Sequence, residues 1–494
     1  MLLLGIDIGT SSIKVSVVDA STQKTIASAQ YPEKEREIIA LKPGWAEQSP
    51  LQWWEDVKQA ILKANATKKY DPADIKGIGI AYQMHGLVLT DKNKKSLRNS
   101  IIWCDSRAVP FGEKAFEKIG EKRCLSHLLN SPGNFTAAKL AWVKKNEPSV
   151  YKQIDKIMLP GDFIALQLTG AITTSISALS EGIFWDFKKD RLSKDVFDYF
   201  GFDTSFIPPI KNVFDWHGEL LPSIATELQL TSGIPVSYKA GDQPNNALSL
   251  NVFEPGEFAA TAGTSGVIYG VTDELQYDKQ SRINSFAHVN YSLEQKRIGV
   301  LLCINGAGIL NRWMKDHIGN LTYEEMNRLS SGIQPGSEGL LVLPFGNGAE
   351  RMLNNKMTGV QINNLDLNLH SKAHLLRAVQ EGIVFAFRYG FDIMKENGMN
   401  GEIIRAGRSN LFLSDVFTQS FVDAVGIPVE LYQCDGSVGA AIGAGLGAGF
   451  YKNRDEAFQN LKAEKKIEPT NSSQYEEPYE RWKKQLELQL SVTD

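Results

Sequence analysis

The chain contains one pattern twice, first as Gly5-Ile-Asp-Ile-Gly-Thr-Ser-Ser-Ile-Lys-Val-Ser-Val-Val-Asp19 and again as Ala259-Ala-Thr-Ala-Gly-Thr-Ser-Gly-Val-Ile-Tyr-Gly-Val-Thr-Asp273. In both copies β-branched residues flank a Gly-Thr-Ser turn, whose glycine tolerates the backbone conformations of a tight turn. Each copy therefore predicts a β-hairpin. The repetition predicts a duplicated architecture in which one hairpin opens each half.

Length and pattern together predict two α/β domains. A chain of 494 residues with 43% apolar composition is too long for one hydrophobic core. Helical stretches such as residues 51–64 alternate with short apolar strands such as residues 75–81, which favours mixed α/β layers. We place the boundary after residue 245, which gives domains of residues 1–245 and 246–494. We expect the last helix, residues 475–490, to pack back on the first domain.

Composition argues against several classes of protein. The 53 basic and 57 acidic residues give a net charge of -4 without a basic patch, which argues against nucleic acid as a partner. No stretch resembles a secretory signal, a membrane span or the Gly-x4-Gly-Lys-Ser/Thr sequence of a P-loop. The four cysteines are dispersed, which favours neither a zinc site nor disulfides and predicts a reduced, cytoplasmic setting. They are Cys104, Cys124, Cys303 and Cys434.

The first turn carries the groups that a phosphate needs. Asp7 stands two residues before Gly9-Thr10-Ser11, whose backbone N–H groups and hydroxyls can converge on one anion. A carboxylate at Asp7 can hold Mg²⁺ against the phosphate, directly or through water, and Lys14 adds a positive charge nearby. An ordinary hairpin with a turn-favouring aspartate explains a single copy about equally well. The second copy, Gly263-Thr264-Ser265, favours a phosphate site, because two facing loops would grip a polyphosphate across a cleft.

Polar residues follow three predicted strands. Asp242 follows the strand of residues 235–240, and a carboxylate there can accept the proton of a hydroxyl that attacks a phosphoryl group. A structural Gly-Asp turn is at least as common at that spacing. Tyr82-Gln83-Met84-His85-Gly86 and Trp103-Cys104-Asp105-Ser106-Arg107 end two further strands and mix polar donors with an apolar wall, as sugar sites do. Taken alone, His85 is more often a structural histidine.

In combination and in order, these motifs resemble the FGGY-type sugar kinases, which share the fold of actin, hexokinase and the heat-shock ATPases. The likeness covers nearly the whole chain and is greatest to the xylulokinase branch. The matching motifs are Gly5-Ile-Asp-Ile-Gly-Thr-Ser, Gln83-Met-His-Gly, Trp103-x-Asp105, Gly241-Asp242, Gly263-Thr-Ser-Gly, Gly348-Ala-Glu350-Arg351 and Gly439-Ala-Ala-Ile-Gly443. The resemblance implies a duplicated two-domain α/β fold of the actin/hexokinase-like (ribonuclease H-like) ATPase type, with nucleotide and sugar in the interdomain cleft.

The resemblance also implies roles for individual residues. Asp242 is the expected catalytic base, and Asp7 is the expected second catalytic carboxylate, next to magnesium and the phosphates. The expected sugar-binding residues are Met84, His85, Trp103, Asp105, Asp242 and Gln243. The expected ATP-binding residues include Trp313 near the adenine and Gly407 with Asn410 in the adenosine loop. The full ATP set is Gly9, Thr10, Ser11, Lys14, Gly263, Thr264, Ser265, Trp313, Gly407 and Asn410.

The activity implied is ATP- and Mg²⁺-dependent phosphorylation of a ketopentose, with D-xylulose as the expected substrate and its 5-hydroxyl as the nucleophile. Met84 and His85 separate this branch from the glycerol kinases. Three departures from the family pattern affect the details: Arg405-Ala-Gly-Arg-Ser-Asn410 replaces a run of glycines, Cys104 stands where asparagine is common, and Gln243-Pro244 follows the base.

Other functions stay open at this point. Family members that act on ribulose, gluconate or another polyol are the nearest alternative, and a sugar-independent ATPase of the same fold is more distant. A binding protein without catalysis requires both Gly-Thr-Ser loops and Asp242 to be coincidental. Analogy with the family alone favours a homodimer.

Overall fold

The computed structural model describes residues 1–493 of the chain. The strands in chain order are β1 Leu2–Ile8, β2 Ile13–Asp19, β3 Thr25–Tyr31, β4 Glu47–Gln48, β5 Ile75–Tyr82, β6 Val88–Thr90, β7 Ser100–Ile101, β8 Lys156–Met158, β9 Thr174–Ser175, β10 Trp185–Asp186, β11 Arg191–Leu192, β12 Ile210–Lys211, β13 Val236–Gly241, β14 Glu257–Ala262, β15 Gly266–Thr272, β16 Asn284–Ala287, β17 Ile298–Ile304, β18 Leu341–Phe345, β19 Gly359–Asn363, β20 Ile403–Gly407, β21 Val429–Tyr432 and β22 Lys465–Ile467.

The α-helices lie between these strands. In chain order they are α1 Pro50–Asn65, α2 Val109–Ile119, α3 Glu121–Leu128, α4 Thr136–Asn146, α5 Pro148–Tyr151, α6 Pro160–Thr169, α7 Ile176–Glu181, α8 Lys194–Phe200, α9 Pro222–Leu228, α10 Asp242–Ser249, α11 Gly308–His317, α12 Tyr323–Ser331, α13 Lys372–Glu396, α14 Asp415–Val425, α15 Gly436–Gly447, α16 Arg454–Phe458 and α17 Ser473–Val492. Within residues 1–493, no helix has both the length and the apolar character that crossing a bilayer requires.

Two sheets of matching topology form the centre of the molecule. The first has the order β13-β5-β1-β2-β3, and the second has the order β16-β17-β15-β14-β20-β21-β22. In each sheet an antiparallel hairpin, β1-β2 or β14-β15, is followed on one side by two parallel strands, β5-β13 or β20-β21. A third antiparallel strand, β3 or β17, lies on the other side of the hairpin. Both predicted hairpins are thus confirmed, and the duplication extends to five strands of each sheet.

The helix of small residues, α15, packs on the first sheet although it belongs to the second half of the sequence. It contacts β1, β2, β5 and β13. The approach is so close that a Cβ on Gly5 would overlap the Ser437 carbonyl oxygen, and a Cβ on Gly79 would overlap that of Ala440. Glycine is therefore required on the strands as well as on the helix.

The last helix does not return to the first domain, which corrects our expectation. Helix α17 packs against α13, α14 and β18, all in the second half. Its fully buried Trp482 donates a hydrogen bond from Nε1 to the Val342 carbonyl at 2.8 Å. The polar composition of the segment concealed this apolar stripe, and the helix that does return is α15.

The boundary that we placed after residue 245 falls inside α10. This helix contacts β5 and β13 of the first sheet, β14 and β15 of the second, and α15. Gln243-Pro244-Asn245-Asn246 reads as a turn, but proline is tolerated in the first turn of a helix, where its missing N–H has no helical partner. The division near residue 245 stays a proposal, and α10 and α15 connect the two sheets.

One side of the cleft is closed by contacts between α7 and the edge strand β16. Asn130 is buried there; its Nδ2 donates to the Ser285 carbonyl at 2.6 Å and its Oδ1 accepts from the Ser285 N–H at 3.0 Å. Ser177 Oγ donates to the Ala287 carbonyl at 2.8 Å. Side chains from the first half of the chain thus form hydrogen bonds with backbone groups of β16 that an edge strand would otherwise leave unpaired.

Candidate active site

The carboxyl ends of the parallel strands β1, β5 and β13 bring Asp7 and Asp242 into one cleft. Asp7 pairs in register with Ala81 of β5, and Gly241, the residue before Asp242, pairs with Tyr82. Asp242 is the first residue of α10. Ligands of α/β proteins commonly bind at this edge of the sheet. This edge of the first sheet therefore contains both carboxylates to which the sequence assigned chemistry.

Burial, together with neighbouring negative charge, raises the pKa values of both carboxylates. Burial, followed by the charge of Asp7, raises the pKa of Asp242 to about 7, and hydrogen bonds from Gln243 oppose this rise. Burial, followed by the charge of Asp435, raises the pKa of Asp7 to about 6, while Lys14 opposes this rise. Gln243 thus donates hydrogen bonds to the carboxylate of Asp242.

Lys14 lies opposite Asp7 on the neighbouring strand β2. Its ammonium forms an ion pair with Asp435, the residue that caps the N-terminus of α15. The positive charge therefore bridges the two halves of the chain next to Asp7. In this structure Lys14 faces a carboxylate of the protein, and its predicted contact with a phosphate requires that pair to open.

The first Gly-Thr-Ser loop is held from the side by two residues. Gln48 donates a hydrogen bond from Nε2 to the Thr10 carbonyl at 2.6 Å, and Trp103 donates one from Nε1 to Thr10 Oγ1 at 2.9 Å. The N–H of Gly9 donates to the carbonyl of Ser12 across the turn. Trp103, predicted as a sugar contact, therefore contacts the first Gly-Thr-Ser loop directly. Gln48 belongs to no motif, and only the fold reveals it.

The second Gly-Thr-Ser loop lies against the start of α11. The Gly308 N–H donates to the Gly263 carbonyl at 2.9 Å, and the Ile309 N–H donates to the Thr264 carbonyl at 3.0 Å. A cavity of about 290 Å³ opens beside the loop and is lined by Gly263, Thr264 and Asn410. Ser265 completes the turn but does not line this cavity. Three of the predicted ATP-binding residues are thus brought together.

Two predicted adenosine contacts lie outside that cavity. Trp313 stacks on His317, with ring centroids 4.6 Å apart, and lines a separate apolar cavity of about 310 Å³. Asn311 and Arg312 of the same helix line the cavity beside Thr264 instead. Residues two apart on a helix do not share a face, so Trp313 lies on a different side of α11 from this cavity, and its contact with the adenine stays a prediction.

Gly407 is the other predicted adenosine contact that lies outside the cavity beside Thr264. It ends β20, and a Cβ there would lie 3.0 Å from Cys434 Sγ. Its position is a packing requirement, and Asn410 alone of this pair lines the cavity. Asn410 adopts a left-handed backbone, with φ of 53°, which asparagine tolerates better than most residues.

Met84 and His85 lie at the end of β5, next to the predicted base. A Cβ on Gly241 would lie 2.7 Å from Met84 Cγ, so the thioether packs against the residue that precedes Asp242. The ring of His85 lies edge-on to Phe135, with centroids 4.8 Å apart, and 5.4 Å from the ring of Phe286. The structure thus adds two aromatic rings to this side of the cleft.

Asp105 is buried beneath the surface, and its predicted contact with the sugar stays a prediction. Its side chain is fully buried, and Oδ2 accepts hydrogen bonds from the Ala46 N–H at 2.6 Å and from Arg107 Nε at 2.8 Å. Oδ1 accepts the Arg107 N–H at 2.9 Å. Both oxygens are occupied within the protein, so Asp105 orders the loop that carries Trp103.

Two buried charged groups near the cleft were missed as site residues. Lys139 donates from Nζ to the His85 carbonyl at 2.9 Å, and burial lowers its pKa to about 7. Glu350 accepts hydrogen bonds from the N–H groups of Asn305 and Gly306 at 2.9 and 2.8 Å, and burial raises its pKa to about 7. The Gly-Ala-Glu-Arg motif signalled Glu350, whereas Lys139 lies in an ordinary helical pattern.

The cleft carboxylates fit a magnesium ion better than the other acidic cluster does. Hard oxygen ligands suit Mg²⁺. Burial and neighbouring negative charge raise the pKa values of Asp7 and Asp242, and a bound cation would favour the ionised forms of both. Within residues 1–493, His127, Asp186 and Asp195 also cluster, but Asp186 is paired with His127 and Asp195 with Arg123.

Proteins of related sequence match most of the length of this chain. The model of the FGGY family of carbohydrate kinases, N-terminal domain, matches residues 2–249, and that of the C-terminal domain matches residues 258–448. A Bacillus subtilis protein named xylulose kinase is 28% identical over 476 residues, which are 93% of this chain and 91% of the relative. One of the same name from Staphylococcus epidermidis is 30% identical over 495 residues, 97% of this chain and 95% of the relative.

Solved structures agree with the fold. A structure described as a xyloylose kinase from Brucella ovis superposes with a TM-score of 0.88 at 26% identity and covers 100% of both chains. The ligand-bound xylulose kinase from Lactobacillus acidophilus superposes with a TM-score of 0.90 at 21% identity, covering 99% of this chain and 98% of its own. These similarities confirm the predicted two-domain actin/hexokinase-like fold. The chain belongs to the FGGY family of carbohydrate kinases.

Proposed function

We propose that the protein transfers the γ-phosphoryl group of ATP to the 5-hydroxyl of D-xylulose. The observation that carries this proposal is that Asp242 follows Gly241, which packs against Met84, and that the charge of Asp7 acts on its carboxylate. Relatives named xylulose kinase, 27–30% identical over most of the chain, support the choice of sugar. Membership of a carbohydrate kinase family favours this activity over a sugar-independent ATPase.

Asp242 is the proposed base. Its ionised carboxylate accepts the hydroxyl proton as the oxygen attacks phosphorus, and general bases work best when their pKa lies near the working pH. Because burial and Asp7 raise the pKa of Asp242 to about 7, the basic form is lost as the pH falls through neutrality. The rate of phosphate transfer should therefore decline below pH 7.

The two Gly-Thr-Ser loops are the proposed binding sites for the phosphates of ATP. Their backbone N–H groups and hydroxyls come from opposite halves of the chain, so both contact one triphosphate only when the halves are close together. Asp7 would hold Mg²⁺, through water, and the ion when bound neutralises charge on the phosphates. Closure of the cleft excludes water and limits hydrolysis of ATP.

The nearest competing function is phosphorylation of a different polyol. A structure described as a gluconate kinase from Lactobacillus acidophilus also superposes with a TM-score of 0.90. At 21% sequence identity this similarity supports the fold and not the substrate. A coupled assay of ADP release with D-xylulose, D-ribulose, D-gluconate and glycerol separates these functions. We expect the highest kcat/KM with D-xylulose; preference for another compound, or no sugar-dependent release, contradicts the proposal.

Two further features of the protein remain proposals. A reduced, cytoplasmic setting is consistent with the four cysteines, all of which are free thiols. A homodimer rests on analogy with the family, and sedimentation of the purified protein tests it.

A further inference from the structure

A buried carboxylate on the sugar side, Glu181, is not among the predicted site residues. It ends α7, and only 2% of its surface is exposed. Its Oε1 accepts a hydrogen bond from the Tyr82 hydroxyl at 2.8 Å, and its Oε2 accepts one from the His85 backbone N–H at 3.2 Å. A Cβ on Gly241 would lie 3.4 Å from the same Oε2. Glu181 therefore touches both segments that carry the proposed sugar contacts.

The imidazole of His85 is held in one tautomer. Its Nδ1 lies 3.0 Å from the backbone carbonyl oxygen of Glu181, and a carbonyl oxygen can only accept, so Nδ1 carries the hydrogen. Burial, with added effects from the positive charges of Lys139 and Arg351, lowers the pKa of His85 to about 3, so the ring is neutral at pH 7. Its Nε2 then has a free lone pair, and within residues 1–493 that atom takes part in no hydrogen bond.

The backbone of His85 is held as firmly as its ring. The residue adopts a left-handed conformation with φ of 62°, which is uncommon for a side chain of this size. Its carbonyl accepts hydrogen bonds from Lys139 Nζ at 2.9 Å and from Thr136 Oγ1 at 3.2 Å. With Phe135 and Phe286 against the ring, Nε2 has a defined direction.

We infer that Glu181 is a positioning residue that presents Nε2 of His85 to the cleft as a hydrogen-bond acceptor, so that the substrate group bound there is a hydroxyl that donates. This inference rests on the proposed function, because it assigns one contact of the proposed sugar. A carboxylate has no hydrogen to donate to Nε2, so its oxygen would bring a lone pair against the lone pair of that nitrogen. The site therefore favours a neutral polyhydroxylated substrate at this position over the carboxylate of a sugar acid.

Nitrogen NMR of the histidine rings tests the tautomer without measuring activity. The chain has seven histidines, and His85→Gln identifies the resonances of His85 by their loss. In ¹⁵N-histidine-labelled wild-type protein at pH 7 we expect a neutral ring with hydrogen on Nδ1. D-Xylulose added without ATP should shift the Nε2 resonance in the direction of an accepted hydrogen bond. Hydrogen on Nε2, a charged ring, or an unchanged Nε2 at saturating sugar would overturn the inference.

Glu181→Gln tests the positioning role by kinetics. Glutamine offers one acceptor oxygen where glutamate offers two. If that oxygen keeps the His85 N–H, the amide nitrogen faces the Tyr82 hydroxyl and reverses the direction of that hydrogen bond. We expect the KM for D-xylulose to rise at least about tenfold, while the KM for ATP changes less than about twofold. Glu381→Gln is the matched control, because Glu381 is equally buried and hydrogen-bonded to Arg377 and Ser337 in the second half.

The two variants separate a structural role from a positioning role. Glu381→Gln should lower the melting temperature without a selective change in the sugar KM. An equal rise of both KM values in Glu181→Gln contradicts the inference. If Glu181→Gln does not fold, the wild-type NMR result decides. A wild-type protein that phosphorylates no sugar defeats the proposed function itself, whereas sugar phosphorylation with hydrogen on Nε2 defeats only this inference.

Discussion

Lys14 and Asp435 form an ion pair that joins the first sheet to the N-terminus of α15, beside the carboxylate of Asp7. The two residues act on Asp7 in opposite directions: the charge of Asp435 raises the pKa of Asp7, and the charge of Lys14 lowers it. Burial is the largest cause of the raised pKa of Asp7, and residues from both halves of the chain adjust it further.

Removing either partner of this pair should move the pKa of Asp7 in a known direction. In Lys14→Met the pKa of Asp7 should rise above about 6, so that binding of MgATP is lost at a higher pH than in the wild type. In Asp435→Asn it should fall, and binding should persist to lower pH. The pH dependence of the KM for MgATP checks both, and shifts in the same direction in the two variants contradict the assignment.

Replacing the proposed base should remove most of the activity and leave the fold intact. Asp242→Asn keeps the shape of the side chain but cannot accept the proton, so we expect kcat to fall at least about a hundredfold. Circular dichroism checks that the fold is intact. Asp415→Asn, at an exposed carboxylate paired with Lys465, is the control and should retain normal turnover. Near-normal turnover in Asp242→Asn would remove this residue from the mechanism.

The sugar side and the nucleotide side should respond separately to mutation. His85→Ala removes the proposed acceptor for a sugar hydroxyl, so the KM for D-xylulose should rise far more than the KM for ATP. Initial rates over a grid of both substrates measure the two constants. Equal effects on the two would argue against a place for His85 on the sugar side.

The two faces of α11 make a matched test of the nucleotide site. Asn311 lines the cavity beside Thr264, whereas Trp313 stacks on His317 outside it. We therefore expect Asn311→Ala to raise the KM for ATP several times more than Trp313→Ala does. Binding of a fluorescent ATP analogue gives an independent measurement. A larger effect of Trp313→Ala would return the tryptophan to the adenine site.

The contact between α15 and the first sheet should not tolerate a single added methyl group. Gly5→Ala would place its Cβ against the Ser437 carbonyl, and overpacking of a rigid backbone contact costs about 1–3 kcal/mol or more. Gly332→Ala is the control, because a Cβ there is 3.6 Å from its nearest neighbour and no left-handed φ is involved. Denaturant unfolding measures the free energy of unfolding of the two variants. Equal values for Gly5→Ala and Gly332→Ala contradict the packing argument.

Local signals in the sequence sufficed for the architecture and for the proposed catalytic carboxylates. The repeated strand-turn-strand pattern predicted both hairpins, because alternating β-branched residues and a glycine turn are properties of adjacent residues. The strand ends placed Asp7 and Asp242 at one edge of the first sheet, because parallel strands carry their carboxyl ends together.

Contacts between distant segments could be decided only by the folded chain. The surroundings of His85 include Glu181 and Phe286, residues about 100 and 200 positions away along the sequence. The sequence offered Asp105 as a sugar ligand, and only the folded chain shows that both of its oxygens accept hydrogen bonds from Arg107 and Ala46. A residue type reveals which hydrogen bonds it can make, but burial and the neighbours that tertiary packing supplies determine which of them remain free for a substrate.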